Sequence, residues 1–132
     1  MIETIAKLSE TERKAIFLEA AGSLPMNAEM IEKDFWVCWT LNRIFQDEYL
    51  KKILRFKGGT SLSKVFHLIE RFSEDIDLIL DWDTIRQGED VIKSSKNQQT
   101  KSNEKLLERS KEFVSTELKD KITAVVGDVC QV

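Results

Sequence analysis

Apolar residues recur at helical spacing near the start of the chain, and a capping pair marks where the first long helix begins. Ser9 is followed three residues later by Glu12, so each side chain can accept a hydrogen bond from the other residue's backbone N–H. The pattern predicts a helix from Glu10 to about Ala21, which Gly22 and Pro25 end.

A second, more apolar helix is predicted after Asn27, whose side chain can cap it. Trp36, Val37 and Ile44 widen its apolar stripe beyond that of a surface helix. The stripe itself consists of Ile31, Phe35, Cys38, Trp39, Leu41 and Phe45. We therefore expect this helix to be buried on much of its circumference, with Trp36 and Trp39 in the core.

The spacing changes after Tyr49. Ile53, Leu54 and Phe56 stand among basic residues, a pattern typical of a short strand, which Gly58-Gly59 ends. A helix is predicted to start near Thr60 or Ser61, because apolar residues then fall at positions i, i+3, i+4 and i+7. These residues are Leu62, Val65, Phe66 and Ile69.

A second strand is predicted after the return loop Arg71-Phe72-Ser73. Ile76, Leu78 and Leu80 alternate with Asp75, Asp77 and Ile79, so one face is apolar and the other carries two acids. Strand, Gly turn, helix and strand form a core over residues 51–82, after a helical segment over 1–50. We predict a single α+β domain over 1–132, with a small mixed sheet, an N-terminal helical pair and flanking helices.

The last third of the chain is predicted to begin as a loop. Residues 86–103 are rich in Ser, Lys, Asn, Gln and Thr, which is typical of a mobile polar surface loop. Helical spacing resumes over 104–122, at Leu106, Leu107, Phe113, Val114, Leu118 and Ile122. The segment 124–129 is compatible with either the start of a strand or the end of a helix.

Composition narrows the class of protein. The chain has 132 residues, of which 42% are hydrophobic and 33% charged, as in a soluble globular protein. No apolar run reaches the roughly 18 residues that span a bilayer, and no leader is evident at the N-terminus, so we expect a cytoplasmic location. Cys38 and Cys130 lack CxxC spacing, so we expect buried thiols. The net charge of −3 argues against a protein that coats nucleic acid, but not against a nucleic-acid substrate.

The two acids of the second predicted strand can hold a metal ion. Asp75 and Asp77 point to the same face, with Cα atoms about 6.5 Å apart, so both carboxylates can reach one divalent ion. A bound cation removes their mutual repulsion, and oxygen ligands suit Mg²⁺. The sequence therefore predicts Asp75 and Asp77 as catalytic metal ligands.

The Gly turn can hold a triphosphate beside that metal. The free N–H groups of the following helix attract anions, and Gly58 and Gly59 let phosphates approach the backbone. Thr60 and Ser61 begin the helix, Ser61 can donate from its hydroxyl, and Lys64 lies one turn further on. We expect a nucleoside triphosphate to bind here, with transfer promoted by positioning and charge stabilisation.

The order and spacing of these motifs resemble a known family. Gly58-Gly59-Thr60-Ser61-Leu62-Ser63-Lys64 followed by Arg71-Phe72-Ser73-Glu74-Asp75-Ile76-Asp77-Leu78 is similar to the first two motifs of the AbiEii/AbiGii-type nucleotidyltransferase toxins, in the polymerase-beta-like superfamily. Glu32-Lys33-Asp34-Phe35-Trp36-Val37 resembles the helix that precedes them. The resemblance covers roughly Ile31 to Leu80.

The resemblance implies a role for several residues and partners. Gly59 and Ser61 would contact the nucleotide phosphates, and Asp75 and Asp77 would ligate Mg²⁺. It also implies nucleotide transfer from a nucleoside triphosphate to an acceptor, which in relatives can be RNA. A separate antitoxin would control the toxin, often in phage defence.

The chain departs from the family in its third acid. Such enzymes use a third acidic residue on a later strand, and nothing after Leu80 matches it clearly; the candidates are Asp81, Asp83, Asp120 and Asp128. We therefore expect an N-terminal part of a longer protein that keeps the binding site but has little transferase activity alone. The alternative is a catalytically incomplete remnant that senses nucleotides or binds proteins. An incomplete fold could also expose an apolar face that pairs with a second copy of the chain.

Three further features allow two interpretations each. Trp82 either stacks on a nucleobase or is a partly buried aromatic at the strand end. The basic residues Lys51, Lys52, Arg55 and Lys57 either approach a polyanion or simply face solvent. Arg71 either clamps a phosphate or contacts Asp75 across the loop.

Overall fold

A computed structural model describes residues 1–57, 75–89 and 92–131. In chain order the described elements are α1 (Ile2–Ala6), α2 (Glu10–Ala21), α3 (Ala28–Gln46), α4 (Glu48–Ile53), β1 (Leu54–Lys57), β2 (Asp77–Leu80), α5 (Trp82–Arg86), α6 (Lys96–Phe113), a π-helical turn (Val114–Leu118) and α7 (Lys119–Val126). This helix-rich arrangement with a small sheet confirms the α+β class.

The predicted caps of the long N-terminal helices are present. The Ser9 hydroxyl accepts from Glu12 N–H and the Glu12 carboxylate accepts from Ser9 N–H, so α2 has the bounds that the sequence predicts. The Asn27 side chain accepts from Met30 N–H at 2.8 Å and caps α3. Asp47 caps α4 in the same way, through Tyr49 N–H and Leu50 N–H.

The two described strands pair antiparallel, with Leu54 opposite Leu80 and Lys57 opposite Asp77. Ile53, predicted as strand, is instead the last residue of α4. The described residues contain this one antiparallel strand pair, and the mixed sheet stays a prediction. The predicted helix that joins the strands lies outside the described residues.

The sheet has one apolar and one open face. Leu54 is buried, and Phe56, Leu78 and Leu80 are half-buried on the inner face. The outer-face residues Arg55, Lys57, Asp77 and Ile79 are exposed. The alternation predicted for the second strand is therefore confirmed.

Two hydrophobic clusters form the core, and α7 contributes to both. The first contains Ile44, Leu50, Ile53, Leu54 and Leu118, and the inner face of the sheet packs on it. The second contains Ala6, Trp39 and Val126, with Trp36 half-buried at its edge. Trp36 and Trp39 make an edge-to-face contact with ring centroids 5.7 Å apart, as their spacing predicted. Ile122 and Val125 touch both clusters, so the clusters are continuous.

The prediction of a polar loop over 86–103 is wrong for residues 96–103, which are helical. Arg86 ends α5, and α6 begins at Lys96, where the Ser95 hydroxyl accepts from Gln98 N–H. The polar residues are the solvent-facing start of a helix that is held to the core further along by buried Leu106. Helical structure then continues to Val126 through the π-helical turn, beyond the predicted range of 104–122.

Candidate functional site

The two predicted metal ligands lie at the start of β2. Asp77 is its first residue and Asp75 precedes it by two positions; both are exposed, and Ile76 between them is half-buried. Leu78 and Leu80 pack on the first hydrophobic cluster, which fixes the strand from the other side. The two carboxylates are thus presented to solvent on a strand with an anchored inner face.

Lys57 completes the described part of this site. It lies opposite Asp77 in the antiparallel register, so both side chains project from the open face. Directly opposed residues have Cα atoms about 4.5–5.5 Å apart, which places an ammonium group within reach of the carboxylate. Lys57 also immediately precedes the Gly58-Gly59 turn. The sequence contains Lys57 in a basic segment, but its pairing with Asp77 depends on a strand register that the sequence does not specify.

The other basic residues of the segment, Lys51, Lys52 and Arg55, have different surroundings from Lys57. The Arg55 guanidinium donates to the carbonyl oxygens of Lys51 at 3.2 Å and Lys52 at 3.0 Å. Arg55 therefore satisfies carbonyls at the C-terminal end of α4, where a cation is favoured. Lys51 and Lys52 are exposed in the last turn of α4. Of the four residues, only Lys57 is opposite a predicted metal ligand.

The predicted phosphate-binding residues lie outside the described part of the chain. These are Gly58, Gly59, Thr60, Ser61 and Lys64, and the same is true of Arg71. Their assignment stays a prediction.

The donor chemistry of Asp75 and Asp77 fits Mg²⁺. Two exposed carboxylates supply hard oxygen ligands and leave room for the waters and phosphate oxygens that this ion retains. Within the described ranges, no group of three or more His, Cys, Asp and Glu residues could hold a metal ion. Asp75 and Asp77 would therefore form part of a coordination shell that a triphosphate and water complete. Mg²⁺ bound there would neutralise phosphate charge during transfer.

The four aspartates considered for the third acid, Asp81, Asp83, Asp120 and Asp128, lie on helices or near their ends. Asp81 precedes α5, Asp83 pairs with Arg86 inside it, and Asp120 is exposed on α7. Asp128 accepts from the Arg43 guanidinium at 2.7 Å, which is the main reason that its pKa is lowered. In the described ranges, no strand follows β2 to present a further carboxylate.

Trp82 lies at the start of α5, directly after β2, and its side chain is 59% exposed. The interpretation of Trp82 as a partly buried aromatic at a strand end is therefore wrong. Its exposed ring remains available for stacking.

Cys38 and Cys130 are not in a disulfide, and both are half-buried, which corrects the expectation of buried thiols. Burial is the main reason that the pKa of Cys130 is raised. Cys38 lies on α3, and Cys130 packs against the second cluster.

Comparison with known families identifies a match for most of the chain. Residues 39–129 match a family model described as "Nucleotidyl transferase AbiEii toxin, Type IV TA system". The matched range includes both strands, every predicted site residue, and the helices after Leu80, where the sequence motifs alone showed no likeness. It begins after Glu32–Val37. No curated protein and no solved structure gives a significant match.

The described helices were also compared with the requirements of a bilayer. Across the described ranges, no helix is both long enough and apolar enough to cross a membrane.

Proposed function

Because the chain belongs to the AbiEii family of nucleotidyl transferase toxins of type IV toxin–antitoxin systems, we propose that it transfers a nucleotide from a nucleoside triphosphate to RNA. Transfer depends on Mg²⁺ held by Asp75 and Asp77. The observation that carries this proposal is the pair of exposed carboxylates at the start of β2, within the matched range, with Lys57 opposite Asp77.

The remaining residues of the site bind the nucleoside triphosphate. Gly58, Gly59, Thr60, Ser61 and Lys64 bind the triphosphate, and the neighbouring Lys57 adds a positive charge at the same edge of the sheet. An acceptor hydroxyl attacks the α-phosphorus, forming a new P–O bond. The bond from that phosphorus to the bridging oxygen breaks, pyrophosphate leaves, and the hydroxyl proton passes to water.

The family also supports a protein partner. Type IV membership favours a separate antitoxin that limits the activity of the chain. We further propose that the pair acts in the cytoplasm, in defence against phage.

A second candidate function follows from the acids after Leu80. In the described ranges, the four candidate aspartates lie on helices or near helix ends, and no later strand presents a third carboxylate. That arrangement favours a module that binds nucleotide without transferring it, either to sense nucleotides or to regulate a protein partner.

Nucleotide titration tests the site. Calorimetry with each nucleoside triphosphate and Mg²⁺ should give saturable binding for the wild type. In Asp75→Asn and Asp77→Asn, binding should be roughly tenfold or more weaker, because each change removes one metal-binding charge. Asp120→Asn is the matched control, since it removes the same charge from an exposed position on α7. If neither Asp75→Asn nor Asp77→Asn weakens nucleotide binding, the assignment of the site is wrong.

Transfer then separates the two candidate functions. The chain is incubated with labelled nucleoside triphosphate, Mg²⁺ and RNA, and incorporation into RNA is measured. Label that appears in RNA with wild type but not with Asp77→Asn supports the transferase. Nucleotide binding that is sensitive to Asp77→Asn, without any incorporation, supports the binding module instead.

A further inference from the structure

A groove lies between α6 and the segment that follows α5. Its volume is about 460 Å³, and its lining is mostly basic and polar. The lining residues are Glu89, Lys93, Gln98, Lys101, Ser102 and Lys105. Most of this surface falls within the range that the sequence pattern indicated as a loop.

Hydrogen bonds hold both walls of the groove together. The Glu89 carboxylate accepts from Lys105 Nζ at 3.3 Å and from Arg109 Nη2 at 2.8 Å. The Arg109 hydrogen bond is the main reason that the pKa of Glu89 is lowered, so this carboxylate is ionised at neutral pH. The Lys93 backbone N–H donates to Gln99 Oε1 at 2.8 Å, which ties the same segment to α6 at a second point.

The charge in the groove has the opposite sign to that of the whole chain. Among the described residues that line the groove, three are lysines and one is a carboxylate, and that carboxylate already accepts from Lys105 and Arg109. The chain as a whole has a net charge of −3. Lys101, Lys105 and Arg109 recur every four residues along one side of α6, roughly 6 Å apart per step. These three cations therefore form a row that runs parallel to the axis of α6.

We propose that this groove binds the phosphodiester backbone of the RNA acceptor; the inference rests on the proposed function for the identity of that acceptor. Lysine ammonium groups contact phosphates as point charges, and Gln98 and Ser102 can donate to phosphate or ribose oxygens. A linear row of cations suits a polymer with regularly spaced charges better than a single small anion.

The position of the groove in the fold agrees with this role. Helix α5 begins two residues after Leu80, the last residue of β2, and packs against α6, so β2 and α5 together connect Asp77 to the groove wall. Exposed Trp82 lies at the start of that element, where its ring can stack on an unpaired base. The groove would hold the acceptor strand while its end reaches the nucleotide.

The test measures RNA binding without nucleotide or Mg²⁺, so that Asp75 and Asp77 do not contribute a metal. Fluorescence anisotropy with a labelled single-stranded RNA is recorded at several salt concentrations for wild type and two variants. Lys93→Gln/Lys101→Gln removes two groove charges. Lys96→Gln/Lys111→Gln is the control, because it removes the same total charge, at two positions of α6 that are not among the described lining residues.

We expect the groove variant to bind RNA roughly ten- to thirtyfold more weakly at 0.1 M salt, and the slope of log affinity against log salt to fall by about 1.4, as for two lost phosphate contacts. The control variant should bind like wild type. Mg²⁺-dependent nucleotide binding should be unchanged in both variants, and DNA of the same sequence should bind no more tightly than RNA.

Four outcomes would overturn the assignment: equal weakening by both variants, no weakening by the groove variant, an equal loss of nucleotide binding in the groove variant, or tighter binding of DNA than of RNA. The two proposals fail separately. If nucleotide binding is unchanged in Asp75→Asn and Asp77→Asn, the proposed metal site is wrong, but the RNA-binding result from anisotropy still stands.

Discussion

Truncation of one side chain on each face of the sheet tests the register on which the candidate site depends. Leu54 lies on the inner face of β1 and is 2% exposed, whereas Ile79 lies on the outer face of β2 and is 42% exposed. Replacement of either residue by alanine removes three methyl or methylene groups, worth about 0.8 kcal/mol apiece when fully buried. Burial alone therefore predicts different costs for the two substitutions.

The expected difference is large enough to measure. Leu54→Ala loses nearly all of that transfer energy and leaves a cavity beside Leu50 and Leu118, so we expect a loss of about 3–4 kcal/mol in unfolding free energy. Ile79→Ala loses little more than half of the transfer energy and opens no enclosed cavity, so we expect about 1 kcal/mol. The gap between them should be about 2 kcal/mol.

Urea unfolding followed by circular dichroism gives both values, provided that the slope of free energy against urea stays the same in the variants. A one-residue slip in pairing would exchange the inner and outer faces and bring Asp75 and Asp77 toward the core. An equal or larger loss for Ile79→Ala than for Leu54→Ala would refute the described register, and with it the open face that presents the two carboxylates.

Two other predictions address the helical part of the chain. The Tyr49 hydroxyl donates to Glu117, which raises the pKa of Tyr49 to about 12. The hydrogen bond therefore stabilises the fold fully below the usual pKa of 10.0, and this stabilisation is lost as the pH rises toward 12. The unfolding free energy of Tyr49→Phe should therefore fall less between pH 10 and pH 12 than that of the wild type. Equal decreases in the two proteins would contradict this. Ser95→Ala should cost about 1 kcal/mol and speed amide exchange in the first turn of α6, because the cap to Gln98 N–H is removed; unchanged exchange would argue against a helix start there.

The local signals of the sequence predicted α2, α3 and β2 well, but not the short helices α1 and α4. The Ser9 and Glu12 pair determines the start of α2 within four residues of chain, without reference to the rest of the fold. The alternation of apolar and polar residues around Asp77 reflects burial of one face of the strand. Both patterns depend on interactions between near neighbours, and for that reason they are readable from the sequence.

The start of α6 was missed because its first two turns contain no apolar stripe. Lys96 to Asn103 resemble a loop in composition, and the helix is stabilised by Ser95 at its end and by Leu106 in the core. Polar residues are compatible with both states, so the outcome depends on packing further along the chain. The spacing of Lys101, Lys105 and Arg109 was the one signal that could have indicated a helical basic row.

The pairing of Lys57 with Asp77 could not be predicted for a different reason. Strand register depends on how the connecting segment returns the chain, and that segment carries no pattern that specifies it. The motifs indicated which residues matter for chemistry. The structure adds which basic residue stands beside them, and it shows that Arg55 instead stabilises the end of α4.

The second hydrophobic cluster has a consequence for the synthesis of the chain. Ala6 and Val126, near opposite ends of the sequence, pack together around Trp39. The ribosome synthesises the chain from its N-terminus, so the apolar surfaces of α1 and α3 stay exposed until α7 has left the ribosome. The contact between Ala6 and Val126 closes a long loop, and the entropic cost of that closure is not compensated by the local helix contacts that form first. We therefore expect the nascent chain to bind nucleotide tightly only after α7 has been synthesised.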